Sequence, residues 1–162
     1  MKILLPVDGS EVSMDAVRFA VDLVRKGLRA DVVLANVQEP ASLYEWVVAH
    51  DADMIERICA DAGAHTLKPA QMLLDQAGVA YESEVAKGDP AHTLIDILER
   101  YGCDMVVMGA RGQGVLRSAL LGSVAHEVLH AAGVPVLIVK PLAQESLGSD
   151  TSNESDETMS EA

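Results

Sequence analysis

The sequence predicts an α/β protein with an open parallel sheet of five strands, because strand-like and helix-like segments alternate along the chain. The strand-like segments are short and mostly apolar, whereas the helix-like segments are longer and repeat apolar residues every three or four positions. With 162 residues and 49% apolar content, a single domain of this kind can bury its own core. We therefore expect a three-layer, Rossmann-like α/β/α architecture.

Local signals set the order of the elements. Ile3 to Val7 is predicted as the first strand, and the first helix begins at Ser10 and is stopped by Gly27. Pro69 lies within the second helix and is expected to kink or divide it, since proline removes one helical hydrogen bond. The remaining elements are predicted as a strand at 31–37, a helix at 53–77, a strand at 79–85, a helix at 90–101, a strand at 103–108, a helix beginning at the Gly122-Ser123 pair and a strand at 134–139.

The most specific motif of the chain is a glycine pattern after the fourth strand: Gly109, two residues, Gly112, nine residues, then Gly122-Ser123. Gly109 and Gly112 carry no side chains, so a ligand could approach the backbone there. Ser123 is expected to cap the next helix, whose first N–H groups point outward and favour an anion. The pattern therefore predicts a phosphate-binding site.

This motif, the opening segment PVDGS at 6–10 and the closing segment VPVLIVK at 134–140 resemble the universal stress protein family. The resemblance covers roughly residues 1 to 140. In that family the glycine motif marks ATP-binding members, whose ribose and phosphates lie along the loop. The resemblance implies the strand order 3-2-1-4-5, which places a crevice between strands one and four at the carboxyl edge of the sheet.

The resemblance also implies which residues hold the nucleotide. Asp8 would contact it, although capping of the first helix is the alternative role for this side chain. The backbone of Val37 would contact the adenine edge. Arg111 and Arg117 could offset phosphate charge or be solvated loop residues, and Mg²⁺ is expected to accompany ATP without a dedicated metal site in the chain. The predicted binding residues are Asp8, Val37, Met108, Gly109, Arg111, Gly112, Gly122, Ser123 and Val124.

Charge and composition limit the possible partners. The net charge is −13 with only 12 Lys and Arg, which argues against nucleic acid, whose phosphates require a basic surface. Residues 143–162 are rich in Ser, Asp and Glu, and we expect a disordered acidic tail after a nucleotide-binding domain at 1–142. The first apolar run is too short for a signal peptide and no stretch is long enough to cross a membrane, so a cytoplasmic protein is expected.

Three further features have more than one interpretation. His126, Glu127 and His130 spell the HExxH pattern of zinc peptidases, but no third ligand is evident and zinc is not expected. The segment at 41–49, with Tyr44 and Trp46, could be a lid or could pack onto the domain. The two cysteines, Cys59 and Cys103, lack metal-ligand spacing and are expected to be free thiols, with Cys103 buried.

The function most consistent with these observations is that of an ATP-binding regulatory module in the stress response, with an unknown protein partner. One alternative is a slow ATPase or autophosphorylating enzyme that uses the same site, with weak hydrolysis at most. Another is a dimeric scaffold without nucleotide. A homodimer is expected through the strand Val134 to Val139, because an uncovered apolar edge strand favours pairing and because the resemblance points to the same strand.

Overall fold

The fold is a five-stranded parallel sheet with helices on both faces. The computed structural model describes residues 1–39, 52–112 and 121–141. The sheet order is β3-β2-β1-β4-β5, so both the predicted fold class and the predicted strand order are confirmed. The elements are β1 (Lys2–Pro6), α1 (Glu11–Arg25), β2 (Asp31–Gln38), α2 (Ala52–Ala77), β3 (Tyr81–Lys87), α3 (Pro90–Tyr101), β4 (Met105–Gly109), α4 (Ser123–Ala131) and β5 (Val136–Val139).

Strand β1 lies at the centre of the sheet and is buried on both faces. Ile3 and Leu5 pack with α1 and α2 in one core, whereas Leu4 packs with α3 and α4 in a second core on the opposite face. All three side chains are fully buried. Consecutive buried apolar residues are typical of a parallel strand with a helical layer on each side, so the three-layer architecture follows directly from this burial.

Capping residues determine where the helices begin and end. Ser10 caps α1 by accepting a hydrogen bond from the Ser13 amide at 3.1 Å, so the predicted start of the first helix is confirmed. Asp89 caps α3 in the same way, and Pro90 occupies its first position. Gly102 ends α3 in the left-handed conformation with φ 61°, which glycine adopts without steric cost.

The first residues of two predicted strands instead close the preceding helices. The Val79 amide donates to the Leu74 carbonyl at 3.0 Å, and the Cys103 amide donates to the Leu98 carbonyl at 2.9 Å. These bonds span five residues and belong to helix-terminating turns of the Schellman type. Strands β3 and β4 therefore begin two residues later than predicted, at Tyr81 and Met105. Both cysteines are free thiols, and burial raises the pKa of the Cys103 thiol.

Helix α2 runs without interruption through Pro69, so the predicted division there does not occur. Pro69 is exposed, whereas Leu67, Ala70 and Leu74 are buried against the sheet. The helical hydrogen bond that proline removes is therefore on the solvent side, where water can satisfy the carbonyl group. The predicted segment at 41–49 and the predicted tail at 143–162 lie outside the described residues.

Candidate functional site

A cavity of about 560 Å³ opens at the carboxyl ends of the strands, where the order of the sheet reverses between β1 and β4. All nine residues that the sequence analysis selected line this cavity: Asp8, Val37, Met108, Gly109, Arg111, Gly112, Gly122, Ser123 and Val124. They come from the ends of three strands and the start of α4. The topology therefore gathers residues that are as much as 116 positions apart in the sequence into one site.

Asp8 is held in place by the residue that caps α1. The Oδ1 atom of Asp8 accepts hydrogen bonds from the Ser10 amide at 3.0 Å and from the Ser10 hydroxyl at 2.6 Å. Because Ser10 is the N-cap, the alternative role of Asp8 as the cap of α1 does not apply. The Oδ2 atom is directed at Gly112, since a Cβ added there would lie 2.5 Å from it. Ser10 thus holds Oδ1 of the Asp8 carboxylate, and Asp8 lines the cavity.

Gly109 and Gly112 lack side chains for different reasons. A Cβ on Gly109 would lie 2.9 Å from the carbonyl carbon and oxygen of Val12, so the close approach at this position is made by α1. Gly109 is buried, whereas Gly112 is exposed. The expectation that both glycines leave room for a ligand is therefore corrected for Gly109, whose missing side chain allows α1 to pack against β4.

The amino end of α4 presents to the cavity backbone amides that have no partner within the helix. Gly122 is the N-cap, and Ser123 is the first helical residue, so the prediction that Ser123 caps this helix is wrong. The Gly122 amide donates to the Ala110 carbonyl at 2.8 Å. The next three amides, those of Ser123, Val124 and Ala125, have no partner within the helix, and all three residues line the cavity. Such a helix end attracts anions.

The backbone of Val37 also faces the cavity. In a parallel sheet the N–H and C=O of one residue point to the same neighbouring strand, and successive residues alternate between the two neighbours. The Val32 amide donates to Ala80 beside β3, whereas the Ala35 carbonyl accepts from Val7 beside β1. Val37 lies two residues after Ala35, so its backbone N–H and C=O also point toward β1. Because β1 has already ended at Pro6, this direction leads into the cavity.

Several residues of the cavity wall were not predicted from the sequence. Asn36 and Gln38 belong to β2, and Asn36 is one of two buried polar residues among those the structure describes. A polar residue inside the apolar segment DVVLANV is the sequence signal that could have indicated Asn36. Helices α2 and α3 contribute four further residues whose positions depend on helix packing: Ala62, Thr66, Pro90 and Leu94. The remaining unpredicted residues of the wall are Pro6, Val7, Ser13, Ala35, Glu39 and Ala125.

The charged side chains that line the described part of the cavity are Asp8, Glu39 and Arg111. Two carboxylates and one guanidinium group do not form a strongly positive site. Within the described part of the cavity, backbone amides are therefore the main groups suited to an anionic ligand. Arg117, the second predicted arginine, lies outside the described residues.

The HExxH histidines lie outside this cavity on the surface of α4. His126 and His130 are both exposed, and their ring centroids are 4.5 Å apart. Over residues 1–39, 52–112 and 121–141, no group of three or more His, Cys, Asp and Glu side chains is arranged to hold a metal ion. In the same ranges, no helix is both long and apolar enough to cross a membrane.

The doubly wound sheet, the cleft at its switch point and the helix end facing that cleft define an open α/β domain with a candidate ligand site at the carboxyl edge of the sheet. Residues 1–140 match the universal stress protein family, and the chain belongs to that family. The resemblance noted in the PVDGS segment and the glycine motif is thereby confirmed.

Individual relatives cover most of this domain. A universal stress protein of Methanocaldococcus jannaschii is 31% identical over 139 residues, which represent 86% of this chain and 81% of the relative. The structure of a second protein of that organism, MJ0577, has a TM-score of 0.76 at 25% identity and covers 87% of this chain and 96% of its own. A universal stress protein solved in complex with cAMP has a TM-score of 0.64 at 25% identity, with 86% and 96% covered.

Proposed function

We propose that this protein binds ATP in the cleft between β1 and β4 and acts as a regulatory nucleotide-binding module in the stress response. The observation that supports this most strongly is that one cavity has, at one wall, amides of α4 without helical partners and, at another, the backbone of Val37. A nucleotide has matching parts, since its phosphates accept hydrogen bonds and its base has a polar edge. The similar protein solved with cAMP also supports an adenine nucleotide.

The phosphates would lie against the amino end of α4. The amides of Ser123, Val124 and Ala125 line this wall and have no helical partners. Amide donors and the positive end of the helix dipole both favour negative charge there. Arg111, which lines the same cavity, would add a charged contact.

Asp8 would hold the ribose. A carboxylate is an acceptor of hydrogen bonds, so it suits a ribose hydroxyl group, whereas it would repel a phosphate. Its Oδ1 atom is occupied by Ser10, and its Oδ2 atom is directed at Gly112. Mg²⁺ bound to the phosphates would reduce repulsion between the triphosphate and the carboxylates of Asp8 and Glu39.

The backbone of Val37 would form hydrogen bonds with the base. An N–H and a C=O on the same residue complement adenine, whose N1 accepts and whose 6-amino group donates a hydrogen bond. Guanine presents the reverse pattern, with a donor at N1 and an acceptor at O6. Binding of guanine would leave the N–H and C=O of Val37 unpaired. Unpaired polar groups discriminate between ligands more strongly than small differences in apolar contact do.

The cavity is better suited to binding than to catalysis. Phosphoryl transfer needs a charge clamp and a group that positions the attacking nucleophile. Arg111 is the one cationic side chain among the described residues that line the cavity, and no histidine lines it there. We therefore propose that hydrolysis is slow or absent, so that nucleotide occupancy is the signal and a partner protein reads it.

The same proposal includes a homodimer formed through β5. This strand pairs with β4 on one side and is the last strand of the described sheet. Its residues Val136, Leu137 and Ile138 are only partly buried. Pairing with a second copy would cover this apolar edge.

We also propose a cytoplasmic location, with 143–162 as an acidic tail outside the nucleotide-binding domain at 1–142.

Calorimetric titration of the full chain with MgATP, MgGTP and cAMP tests the nucleotide assignment. We expect MgATP to bind at least tenfold more tightly than MgGTP, a difference of about 1.4 kcal/mol. Mass spectrometry of freshly purified protein should identify a co-purified adenine nucleotide. The absence of both bound nucleotide and binding heat would contradict the proposal, and turnover near one per second would contradict the binding-module function.

A further inference from the structure

Asn36 is a buried polar side chain at the carboxyl end of β2, where it is only 3% exposed. Its Nδ2 atom donates a hydrogen bond to the carbonyl of Val7 at 2.7 Å. Its Oδ1 atom accepts one from Nε2 of Gln38 at 2.5 Å. The amide is therefore satisfied at both ends, and one of its partners is the residue that precedes Asp8.

The contact between Asn36 and Val7 occurs where the ladder between β1 and β2 stops. The last backbone bond of this ladder joins the Val7 amide to the Ala35 carbonyl at 2.8 Å. If the ladder continued, the next bond would run from the Val37 amide to the Val7 carbonyl, because parallel strands are bonded at every second residue. Among the described residues the Val7 carbonyl receives the Asn36 side chain, and no backbone bond from Val37 accompanies it.

Helix α2 holds Asn36 in this arrangement. A Cβ on Gly63 would lie 2.9 Å from Oδ1 of Asn36 and 2.4 Å from Cγ1 of Val85, so the helix backbone lies directly over the amide. Gly63 is buried, as is Asn36. With α2 above it, Gln38 on one end and Val7 on the other, the carboxamide has little freedom to rotate away.

We propose that Asn36 is a positioning residue that ends the ladder between β1 and β2 and so leaves the backbone of Val37 available to a ligand base. The same hydrogen bond fixes the turn that carries Asp8, so that one buried side chain sets two walls of the cavity. The identity of the ligand as a nucleotide rests on the proposed function. The effect of Asn36 on the backbone does not, and it can be measured without any ligand.

Amide hydrogen exchange of the full chain, labelled with ¹⁵N and freed of nucleotide, tests the effect on the backbone. Val33 is the internal reference, because its amide faces β1 within the ladder. We expect the Val37 amide to exchange at least tenfold faster than the Val33 amide, since among the described residues no backbone carbonyl accepts a hydrogen bond from it. Equal protection of the two amides in the wild-type protein would overturn the proposal without the need for a variant.

The substitution Asn36→Leu removes the donor and keeps the branch at Cγ, with methyl groups in place of the amide oxygen and nitrogen. Freed from the side chain, the Val7 carbonyl can accept the Val37 amide, so we expect Val37 exchange to slow at least tenfold in this variant. Asn36→Ala, which introduces no larger group, replaces it if the leucine variant does not fold. A Val37 exchange rate unchanged from wild type in the folded variant would contradict the assigned role.

Titration with MgATP and MgITP separates positioning from general stability, because the hypoxanthine base reverses the hydrogen-bonding pattern of adenine at positions 1 and 6. We expect Asn36→Leu to weaken MgATP binding at least tenfold and to reduce the preference over MgITP. The matched control is Ser83→Ala, which removes the bond from Gln71 at 2.9 Å on the same helix and sheet. Its affinities should stay within twofold of wild type. If wild-type protein binds no nucleotide, the proposed function fails, whereas the exchange rates still decide the role of Asn36.

Discussion

Asp8 and Gly112 face each other across the mouth of the cavity so closely that a Cβ on Gly112 would lie 2.5 Å from Oδ2 of Asp8. Asp8 cannot turn away freely, because Ser10 holds its other oxygen through two hydrogen bonds. The absence of a side chain at position 112 therefore preserves both the orientation of the carboxylate and the space beside it. This relationship joins the PVDGS segment to the glycine motif in a single site.

Replacement of Gly112 by Val should abolish MgATP binding while the protein stays folded. The new side chain would displace the Asp8 carboxylate and occupy the cavity, but Gly112 is exposed and does not have a positive φ. Calorimetry should show that the affinity for MgATP falls at least tenfold, which corresponds to about 1.4 kcal/mol. Gly133→Val is the matched control, because a Cβ at Gly133 meets nothing within 4 Å. Tight binding by the Gly112 variant would contradict the placement of the ligand.

Replacement of Gly109 by Ala should lower stability. Its Cβ would lie 2.9 Å from backbone atoms of Val12, and backbone cannot move aside as the end of a side chain can. Such overpacking costs about 1–3 kcal/mol in the free energy of unfolding, measured by urea denaturation. Gly112→Ala should change this free energy by less than about 0.5 kcal/mol. Equal stability of the two variants would show that α1 does not depend on the glycine at 109.

Local signals explain why some boundaries could be predicted from the sequence and others could not. Ser10, Asp89 and Gly102 act within one or two turns of their own position, so the start of α1 and the whole of α3 were predictable. Val79 and Cys103 are apolar residues next to strands, yet their amides close the preceding helices. An apolar side chain is compatible with either position, so the apolar pattern alone does not distinguish the first residue of a strand from the residue that closes a helix.

The residues of the cavity also separate into those that could be predicted from the sequence and those that could not. Residues at the ends of strands, such as Asp8, Val37 and Gly109, were predictable because the topology of the sheet fixes where strand ends meet. Ala62 and Thr66 line the cavity only because α2 packs over β2. Their position depends on tertiary packing, for which neither residue carries a local sequence signal.

The pair of His92 and Asp89 should make stability depend on pH. Nδ1 of His92 lies 2.8 Å from Oδ1 of Asp89, and this contact raises the pKa of His92 above its ordinary value of 6.5. The Glu127 and Asp96 carboxylates raise it further. The His92 amide, followed by its ring, lowers the pKa of Asp89 below its ordinary value of 3.8.

The signs of the two shifts define the pH range of this effect. The protonated His92 ring contributes to the free energy of unfolding, and this contribution is complete below the pKa of the unfolded state. It is lost as the pH rises through the raised pKa of the folded state. The contribution of the Asp89 carboxylate to the free energy of unfolding is present above the pKa of the unfolded state. It is lost as the pH falls through the lowered pKa of the folded state. Urea denaturation of wild type and His92→Gln should therefore differ more at about pH 5 than at about pH 8. A difference independent of pH would mean that the two side chains do not interact in solution.

Replacement of Val136 by Lys should dissociate the proposed dimer. A charged residue on an edge strand prevents pairing with another sheet and is compatible with a folded monomer. Light scattering on a sizing column should show a dimer for wild type and a monomer for the variant. Met72→Lys is the control, because Met72 is an exposed apolar residue on α2 rather than on β5. A wild-type monomer at tens of micromolar would contradict the dimer through β5.

Replacement of Ser123 by Pro should test the phosphate site, because it removes the backbone donor of this residue together with its side-chain hydroxyl. Ser123→Ala removes the hydroxyl alone and is the matched control. Proline is tolerated at the first position of a helix, where the amide has no helical partner. The preceding residue, Gly122, has φ −75° and ψ 159°, a conformation that proline accepts in the residue before it. The helix should therefore remain intact, and circular dichroism of the variant checks this.

Loss of the Ser123 amide should affect phosphate and base differently. A hydrogen bond to a charged group contributes about 1.5–3 kcal/mol, so MgATP binding by Ser123→Pro should weaken by roughly tenfold or more. Adenosine has no phosphate, and its affinity should change by less than about twofold if the base and ribose lie at Val37 and Asp8. Calorimetry with both ligands measures the two effects on the same protein. Equal losses for ATP and adenosine would mean that the substitution disturbs the whole cavity, and no loss for either would place the phosphates away from α4.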